Sequence, residues 1–217
     1  MAPGAWALVA VKARGECKTR LAHCLSAEAR VELVRLMLGN VLEALRGAEL
    51  IEGIAVVSPE RDVLPPDVLV LPDPGGGLNA ALDAARCALV DRGARELVVL
   101  PADLPLVTAA DIDMLVGCGR RSGLALATDL AGTGTNALYL TSSARFRFQF
   151  GPDSRWHHVQ ESARLGLEPQ LVRSRGLAFD LDRIEDLIRL RNEGVAPFAA
   201  LALPDTGDTC LRKMRSG

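Results

Sequence analysis

The chain has 217 residues, of which 49% are hydrophobic and only 4% aromatic. This length is enough for one α/β domain with a well-buried core, and a composition rich in Ala, Leu and Val is typical of helices packed on a parallel sheet. The formal net charge of -2 at pH 7 gives no overall basic field, so we expect neither nucleic acid nor a membrane as a partner.

The cysteines and the start of the chain predict a cytoplasmic protein. The five cysteines are scattered and form no Cys-x-x-Cys pair, so we expect no disulfide framework and no zinc site. Residues 1–16 lack a basic segment before their short apolar run, which favours a first strand over a signal peptide. No apolar stretch approaches the length needed to cross a bilayer.

Strand and helix patterns alternate along nearly the whole chain. Short apolar runs predict strands at 6–11, 51–58, 68–71, 97–100, 124–128, 136–140, 169–173 and 177–181. Helical spacing of apolar residues predicts helices at 27–46 after a Ser26 cap, 80–92, 111–121, 156–165 and 183–192, the last ending at Gly194. The predicted buried face of the first helix consists of Val31, Val34, Leu38, Val41, Leu42 and Leu45.

This alternation, without internal repeats or a linker, predicts a single-domain α/β protein. We expect three layers, α/β/α, around a mostly parallel, Rossmann-like sheet. The domain is placed at 1–194. For the tail at 195–217, two interpretations stay open, a dimer contact and a disordered segment.

The segment 96–107 (ELVVLPADLPLV) organises the predicted sheet. Its apolar run is typical of a strand buried on both faces, and Asp103 is the first polar side chain beyond the strand end. Ligands of open α/β sheets bind outside the carboxyl ends of the strands, so Asp103 is predicted to face a ligand crevice. The alternative is that Asp103 only organises its turn.

Four cationic residues follow the first predicted strand: Lys12, Arg14, Lys18 and Arg20. Cations in the first βα loop are well placed to hold a polyphosphate. The loop contains neither a Walker A sequence nor a Gly-x-Gly-x-x-Gly fingerprint. A solvated basic turn is the alternative.

A second loop, 73–79 (DPGGGLN), is rich in glycine. Its glycines allow close approach of a flat ligand, and Asn79 offers a donor and an acceptor for a base edge. A plain loop is the alternative.

Three aspartates form a candidate metal site. Asp180 and Asp182 alternate on a predicted strand and would share a face, to which Asp103 would add a third carboxylate. Carboxylates near phosphates are typical ligands of Mg²⁺. In the rival interpretation Asp182 caps the last helix, with Glu185 completing a capping box.

Two further loops carry small hydroxyl side chains. The first contains Thr135, and the second contains Gly151 and Ser154, with His158 on the first turns of the helix that follows. Hydroxyls and exposed backbone amides form anion pockets. The alternatives are ordinary capping by Ser154 and a structural role for His158.

Six segments resemble, in this order and spacing, the CofC/FbiD-type guanylyltransferases of coenzyme F420 biosynthesis. They are VKARGECKTRL, GLNAAL, LPADLPL, GTNAL, FGPDSRWHH and DLDRIEDL. The resemblance spans about residues 5–192 and implies a GT-A-like nucleotidyltransferase fold. It implies transfer of GMP from GTP to the phosphate of a small three-carbon acid, with release of pyrophosphate. The family's acceptors are 2-phospho-L-lactate, phosphoenolpyruvate and 3-phospho-D-glycerate, and the product passes to a downstream F420-pathway transferase.

The resemblance, together with the loops described above, assigns roles to residues. The expected catalytic residues are Lys18, Arg20 and Asp103. The expected nucleotide ligands are Lys12, Lys18, Arg20 and Asn79. The expected Mg²⁺ ligands are Asp103, Asp180 and Asp182. The acceptor acid is expected at Thr135, Gly151, Ser154 and His158, next to Asp153, which stands where the family more often has glycine.

The implied reaction needs no general base, because the acceptor phosphate oxygen is already an anion. We expect in-line attack without a covalent intermediate, catalysed by positioning and charge neutralisation, with His158 shaping the pocket. Two alternatives stay open. One is another nucleotidyltransferase of this fold, with a molybdopterin or sugar-phosphate acceptor, and the other is a non-catalytic GTP-binding protein. A homodimer is also left open.

Overall fold

A computed structural model describes residues 4–11, 18–58, 64–142 and 145–201. In this part of the chain seven strands form one sheet, in the order β3-β2-β1-β4-β6-β5-β7. The strands are β1 Ala5–Ala10, β2 Ile51–Val57, β3 Leu69–Leu71, β4 Glu96–Pro101, β5 Leu124–Thr128, β6 Thr135–Thr141 and β7 Gln170–Val172. The helices are α1 Ala27–Gly47, α2 Leu78–Val90, α3 Ala109–Ser122, α4 Ser154–Arg164, α5 Arg175–Ala178 and α6 Ile184–Asn192.

The sheet is mostly parallel, as predicted, and β6 is the exception. β1 pairs in parallel with β2 and β4, whereas β6 runs antiparallel to both β4 and β5. The loop at 129–134 joins β5 to β6 directly, and so short a connection only permits an antiparallel pair. The start of β6 therefore lies at the same sheet edge as the end of β4.

Helices cover both faces of the sheet. In β4, Val98 and Leu100 belong to the core shared with α1 and α3, and Leu97 and Val99 belong to the core shared with α2. All four side chains are at most 2% exposed. The prediction of a central strand buried on both faces is confirmed, because successive strand residues point to opposite faces.

The first helix begins as predicted but buries a different face in its first half. The Ser26 hydroxyl accepts a hydrogen bond from the Ala29 N–H and caps α1. Val31, however, is exposed, and Leu33 and Met37 are buried instead. The prediction assumed one contact surface, whereas this half of α1 packs in a third cluster with α6 rather than on the sheet.

The predicted strand at 177–181 is wrong. The Ser174 hydroxyl accepts from the Gly176 and Leu177 N–H groups and starts the short helix α5, which an irregular segment follows. The expectation for the cysteines also needs one correction, because Cys24 is disulfide-bonded. Cys87 and Cys118 are free thiols.

The first residues of the predicted tail pack against the domain. Gly194, at a φ of 69°, ends α6 as predicted, and the Val195 N–H donates to the Leu190 carbonyl. Phe198 is fully buried in the third cluster. Residues 202–217 lie outside the described residues, and the domain boundary stays a prediction. Among the described helices, none has the length and apolar character to span a membrane.

Candidate functional site

A cleft of about 910 Å³ lies at the sheet edge where β1, β2 and β4 end and β6 begins. Most residues predicted for the site line it. They are Lys18, Arg20, Asp103, Thr135, Gly151, Ser154, Asp180 and Asp182. The structure brings these residues together because the carboxyl ends of parallel strands and the loops after them share one edge of the sheet.

Lys18 joins two of the predicted metal ligands. Its Nζ lies 2.7 Å from Asp103 Oδ2 and 2.9 Å from Asp182 Oδ1, and its side chain is only 9% exposed. Burial lowers the pKa of Lys18, but the two carboxylates raise it more, so the net shift is upward and the ammonium stays charged. Arg20 makes a weaker, exposed contact, with Nη1 3.2 Å from Asp182 Oδ2.

The backbone holds the aspartates together without a strand at 180–182. The Leu181 N–H donates to the Asp103 carbonyl at 3.1 Å, so the segment after α5 is tied to the loop after β4. Asn136 Nδ2 donates to Asp180 Oδ1 at 3.3 Å and to the Ala178 carbonyl. Burial raises the pKa of Asp180, and the neighbouring carboxylates of Asp103 and Asp182 raise it further.

Asp182 does not cap the last helix. The residue before α6 is Arg183, and Asp186 accepts from the N–H groups of both Asp182 and Arg183. The rival interpretation with Glu185 is therefore wrong. Because Asp186 performs the capping, the Asp182 carboxylate is available to Lys18 and Arg20.

The charges and donor atoms of the cleft suit a divalent cation. Among its described lining residues only two are cationic, Lys18 and Arg20, against five aspartates. The aspartates are Asp73, Asp103, Asp129, Asp180 and Asp182. An anionic nucleotide would be repelled here without further positive charge.

Two of these carboxylates already converge on one cationic centre, the Lys18 ammonium. In the described part of the chain no three metal-ligating side chains form a cluster, so a three-aspartate site is not preassembled. Mg²⁺ is commonly held by one or two carboxylates plus substrate phosphates and waters, and Asp103 and Asp182 fit that pattern.

Two further residues that line the cleft, Thr135 and Ser154, carry the predicted hydroxyls. The Thr135 N–H donates to Ser154 Oγ at 2.8 Å, and Thr135 Oγ1 lies 3.0 Å from His158 Nδ1. Ser154 thus bonds across to β6 rather than capping its own helix, so the capping alternative is wrong. Asp153 precedes α4 at a left-handed φ of 53°, where glycine would be unstrained.

His158 lies behind this pair and not in the cleft. Its ring is fully buried, and its Nε2 accepts from the Gln149 N–H at 3.0 Å. Burial, with a smaller contribution from His157, lowers the pKa of His158 to about 4, so the ring is neutral at pH 7. A buried ring cannot touch an acid in the cleft, so the predicted direct contact of His158 with the acid is wrong, and the ring instead contacts Thr135, which lines the cleft.

Asn79 has a structural partner that the sequence did not reveal. Its Nδ2 donates to the Phe150 carbonyl and its Oδ1 accepts from the Phe150 N–H, at 3.0 and 2.8 Å. These bonds fix the loop with Gly151 to the start of α2. A contact of Asn79 with a base stays a prediction, and Lys12 lies outside the described residues.

The sequence did not predict the contacts that support the site residues. Asn136 and Gln149 hold Asp180 and His158 in place. Asn136 carried a weak signal, because it follows Thr135 at the start of a strand and must point to the opposite face. Gln149 acts through its backbone N–H, which any residue except proline supplies, so its sequence carried no signal.

Several solved structures share the fold. A protein from Desulfovibrio desulfuricans assigned to the nucleotide-diphospho-sugar transferases superposes with a TM-score of 0.75 at 17% identity, over 99% of this chain and 96% of that one. The 4-diphosphocytidyl-2C-methyl-D-erythritol synthase of Anaerococcus prevotii superposes with a TM-score of 0.58 at 10% identity, over 86% and 94%. At these identities the likeness extends to the fold alone.

Sequence relatives are more informative. The phosphoenolpyruvate guanylyltransferase of Rubrobacter xylanophilus is 40% identical over 194 residues, which cover 87% of this chain and 94% of that protein. The protein of the same name from Sphaerobacter thermophilus is 37% identical over 198 residues, 89% and 95% of the two chains. The family described as "Guanylyl transferase CofC like" matches residues 5–197. The chain therefore belongs to the CofC-like guanylyl transferase family.

Proposed function

We propose that the protein transfers GMP from GTP to the phosphate of a small three-carbon phosphorylated acid, with release of pyrophosphate. The observation that carries this proposal is one cleft lined by two unlike groups of residues. Lys18, Asp103 and Asp182 form a charged cluster, and Thr135 and Ser154 form a hydrogen-bonded pair that carries two hydroxyls. Full-length similarity to phosphoenolpyruvate guanylyltransferases supports it and suggests phosphoenolpyruvate as the first acceptor to test.

In this reaction a phosphate oxygen of the acid attacks the α-phosphorus of GTP. The bond from that phosphorus to the oxygen bridging to the β-phosphate breaks, and pyrophosphate leaves with the electron pair. The attacking oxygen carries no proton at neutral pH, which agrees with the neutral, buried state of His158. Rate enhancement then comes from alignment of the two phosphates and from neutralisation of their charge.

The side chains divide this task. Lys18 and Arg20 would contact the triphosphate, and Thr135, Ser154 and the backbone at Gly151 would hold the acid. Asp103 and Asp182 would hold Mg²⁺, with Asp180 beside them. When bound, the metal would neutralise phosphate charge and orient the α-phosphoryl group. Transfer of Lys18 from the aspartates to phosphate oxygens would accompany binding of the metal.

The test is pyrophosphate release from GTP and Mg²⁺, with 2-phospho-L-lactate, phosphoenolpyruvate and 3-phospho-D-glycerate supplied separately. We expect turnover with at least one acid and none without acid. Replacing GTP by CTP should abolish it if the base is recognised. Absence of turnover with all three acids, in protein that still binds GTP, would contradict the proposal. The cytoplasmic location, the homodimer and delivery of the product to a downstream F420-pathway transferase stay predictions.

A further inference from the structure

The hydrogen bonds around His158 determine which ring nitrogen carries the proton. The Gln149 backbone N–H can only donate, and it points at Nε2 from 3.0 Å. Nε2 must therefore present a lone pair, since a hydrogen on it would face the amide hydrogen. A neutral imidazole has one N–H, so the hydrogen lies on Nδ1.

This tautomer fixes the direction of the next hydrogen bond. Nδ1–H, 3.0 Å from Thr135 Oγ1, donates to the hydroxyl oxygen. A hydroxyl has one hydrogen and two lone pairs, and one lone pair of Thr135 is now occupied. Among the described residues the Thr135 hydroxyl has no second protein partner, and Thr135 is one of the residues that line the cleft. Its hydrogen is therefore free to point into the cleft.

Ser154 is oriented in the same way by a different donor. Its Oγ accepts from the Thr135 N–H at 2.8 Å, which leaves its own hydrogen for the cleft, and its residue is only 2% exposed. Two neighbouring hydroxyls thus have their oxygens engaged by protein N–H groups. A pair of neighbouring hydroxyl donors favours an anion and disfavours a ligand that must itself donate.

We propose that His158 is a positioning residue, which holds the Thr135 hydroxyl as a hydrogen-bond donor to an oxyanion of the acceptor acid. The identity of the anion rests on the proposed function, whereas the orientation of the hydroxyl does not. His158 acts only through Thr135, because its ring is buried and does not line the cleft.

Two substitutions separate the two hydrogen bonds of the ring. In His158→Asn, the side-chain amide can reach the position of Nδ1 and still donate to Thr135. In His158→Gln, the side-chain amide oxygen can reach the position of Nε2 and still accept from the Gln149 N–H. We expect His158→Gln to raise the KM for phosphoenolpyruvate about tenfold, as for loss of one oriented hydrogen bond to a charged group, with the KM for GTP unchanged. His158→Asn should raise the acid KM several-fold less.

Thr135→Val provides the decisive comparison, since it removes the hydroxyl at constant shape. It should raise the acid KM at least as much as His158→Gln does, and adding His158→Gln to Thr135→Val should cause no further rise. Equal effects of the Gln and Asn variants, or additive effects in the double variant, would overturn the positioning role. Thermal unfolding of each variant excludes loss of the fold as the cause.

A measurement on the unaltered protein tests the tautomer without any turnover. Two-bond ¹⁵N–¹H correlation spectra should show His158 with a pyrrole-type Nδ1 and a pyridine-type Nε2 at pH 7. The reverse pattern, or a protonated ring, would overturn the proposal. Failure of all three acids to support turnover would contradict the proposed function instead, so the two failures are distinguishable.

Discussion

Asp103 contributes to the cleft through both its side chain and its backbone. Its carboxylate holds Lys18 at 2.7 Å, and its carbonyl holds the segment that carries Asp180 and Asp182. The backbone bond would survive a change of the side chain, whereas the negative charge would not. A substitution of Asp103 therefore tests the role of its charge while the backbone hydrogen bond stays in place.

We expect Asp103→Asn to lower the turnover number about 1,000-fold, because the charge that positions Lys18 and would hold the proposed metal is lost at nearly constant shape. Steady-state pyrophosphate release measures the loss, and thermal unfolding checks that the fold is retained. Asp129→Asn is the matched control, because Asp129 lines the same cleft but contacts Thr133 rather than Lys18. Near-normal turnover of Asp103→Asn would contradict the metal assignment.

At the scale of elements, α3 shows how closely a helix approaches the sheet. A Cβ at Gly119 would lie 1.9 Å from Cδ1 of Tyr139 in β6, so only glycine lets the helix pack on that ring. Gly117, two residues earlier in the same helix, has only Arg121 Nη1 nearby, at 4.0 Å. One helix thus contains a glycine that packing requires and one that it does not.

Replacing these two glycines by alanine should change the stability of the protein in opposite directions. Gly117→Ala should stabilise the protein by up to about 1 kcal/mol, because alanine is the better helix former. Gly119→Ala should destabilise it by about 2 kcal/mol or more, since the buried Tyr139 ring has no room to move. Urea unfolding of both variants measures the difference. Stabilisation by both substitutions would show that Tyr139 does not pack on α3 as described.

At the scale of the whole molecule, burial of His158 links stability to pH. Burial lowers its pKa from the ordinary 6.5 to about 4, with a further lowering by His157 and an opposing effect of Glu161. Between these values the unfolded chain binds more protons than the folded one. The contribution of neutral His158 to the free energy of unfolding is therefore complete above about pH 6.5, and it is lost as the pH falls towards 4.

We expect this linkage to cost the protein about 2 kcal/mol of unfolding free energy at pH 5 relative to pH 7. Urea unfolding at both values, in the unaltered protein and in His158→Gln, measures it. The variant has no group titrating in this window at position 158, so its pH dependence should be weaker by that amount. An identical pH dependence of the two proteins would show that His158 titrates normally and is not buried as described.

The sequence by itself determined the features that depend on neighbours along the chain. Ser26 caps α1 because its partner is three residues away, and the apolar run of β4 predicts a strand because its side chains alternate between two cores. Topology then placed Asp103 and Thr135 at one edge of the sheet. The fold class, the edge and most of the cleft residues were predictable for this reason.

Only the tertiary structure decided the contacts between distant segments. Lys18 meets Asp182 across 164 positions of the chain, and Asn79 meets Phe150 across 71. The burial of Leu33 in α1 likewise results from packing with α6, which no local sequence pattern reveals. The orientation of Thr135 depends on one backbone N–H, that of Gln149, acting through His158. Backbone groups are the same at every residue except proline, so such a contact leaves no trace in the sequence and exists only once the chain has folded.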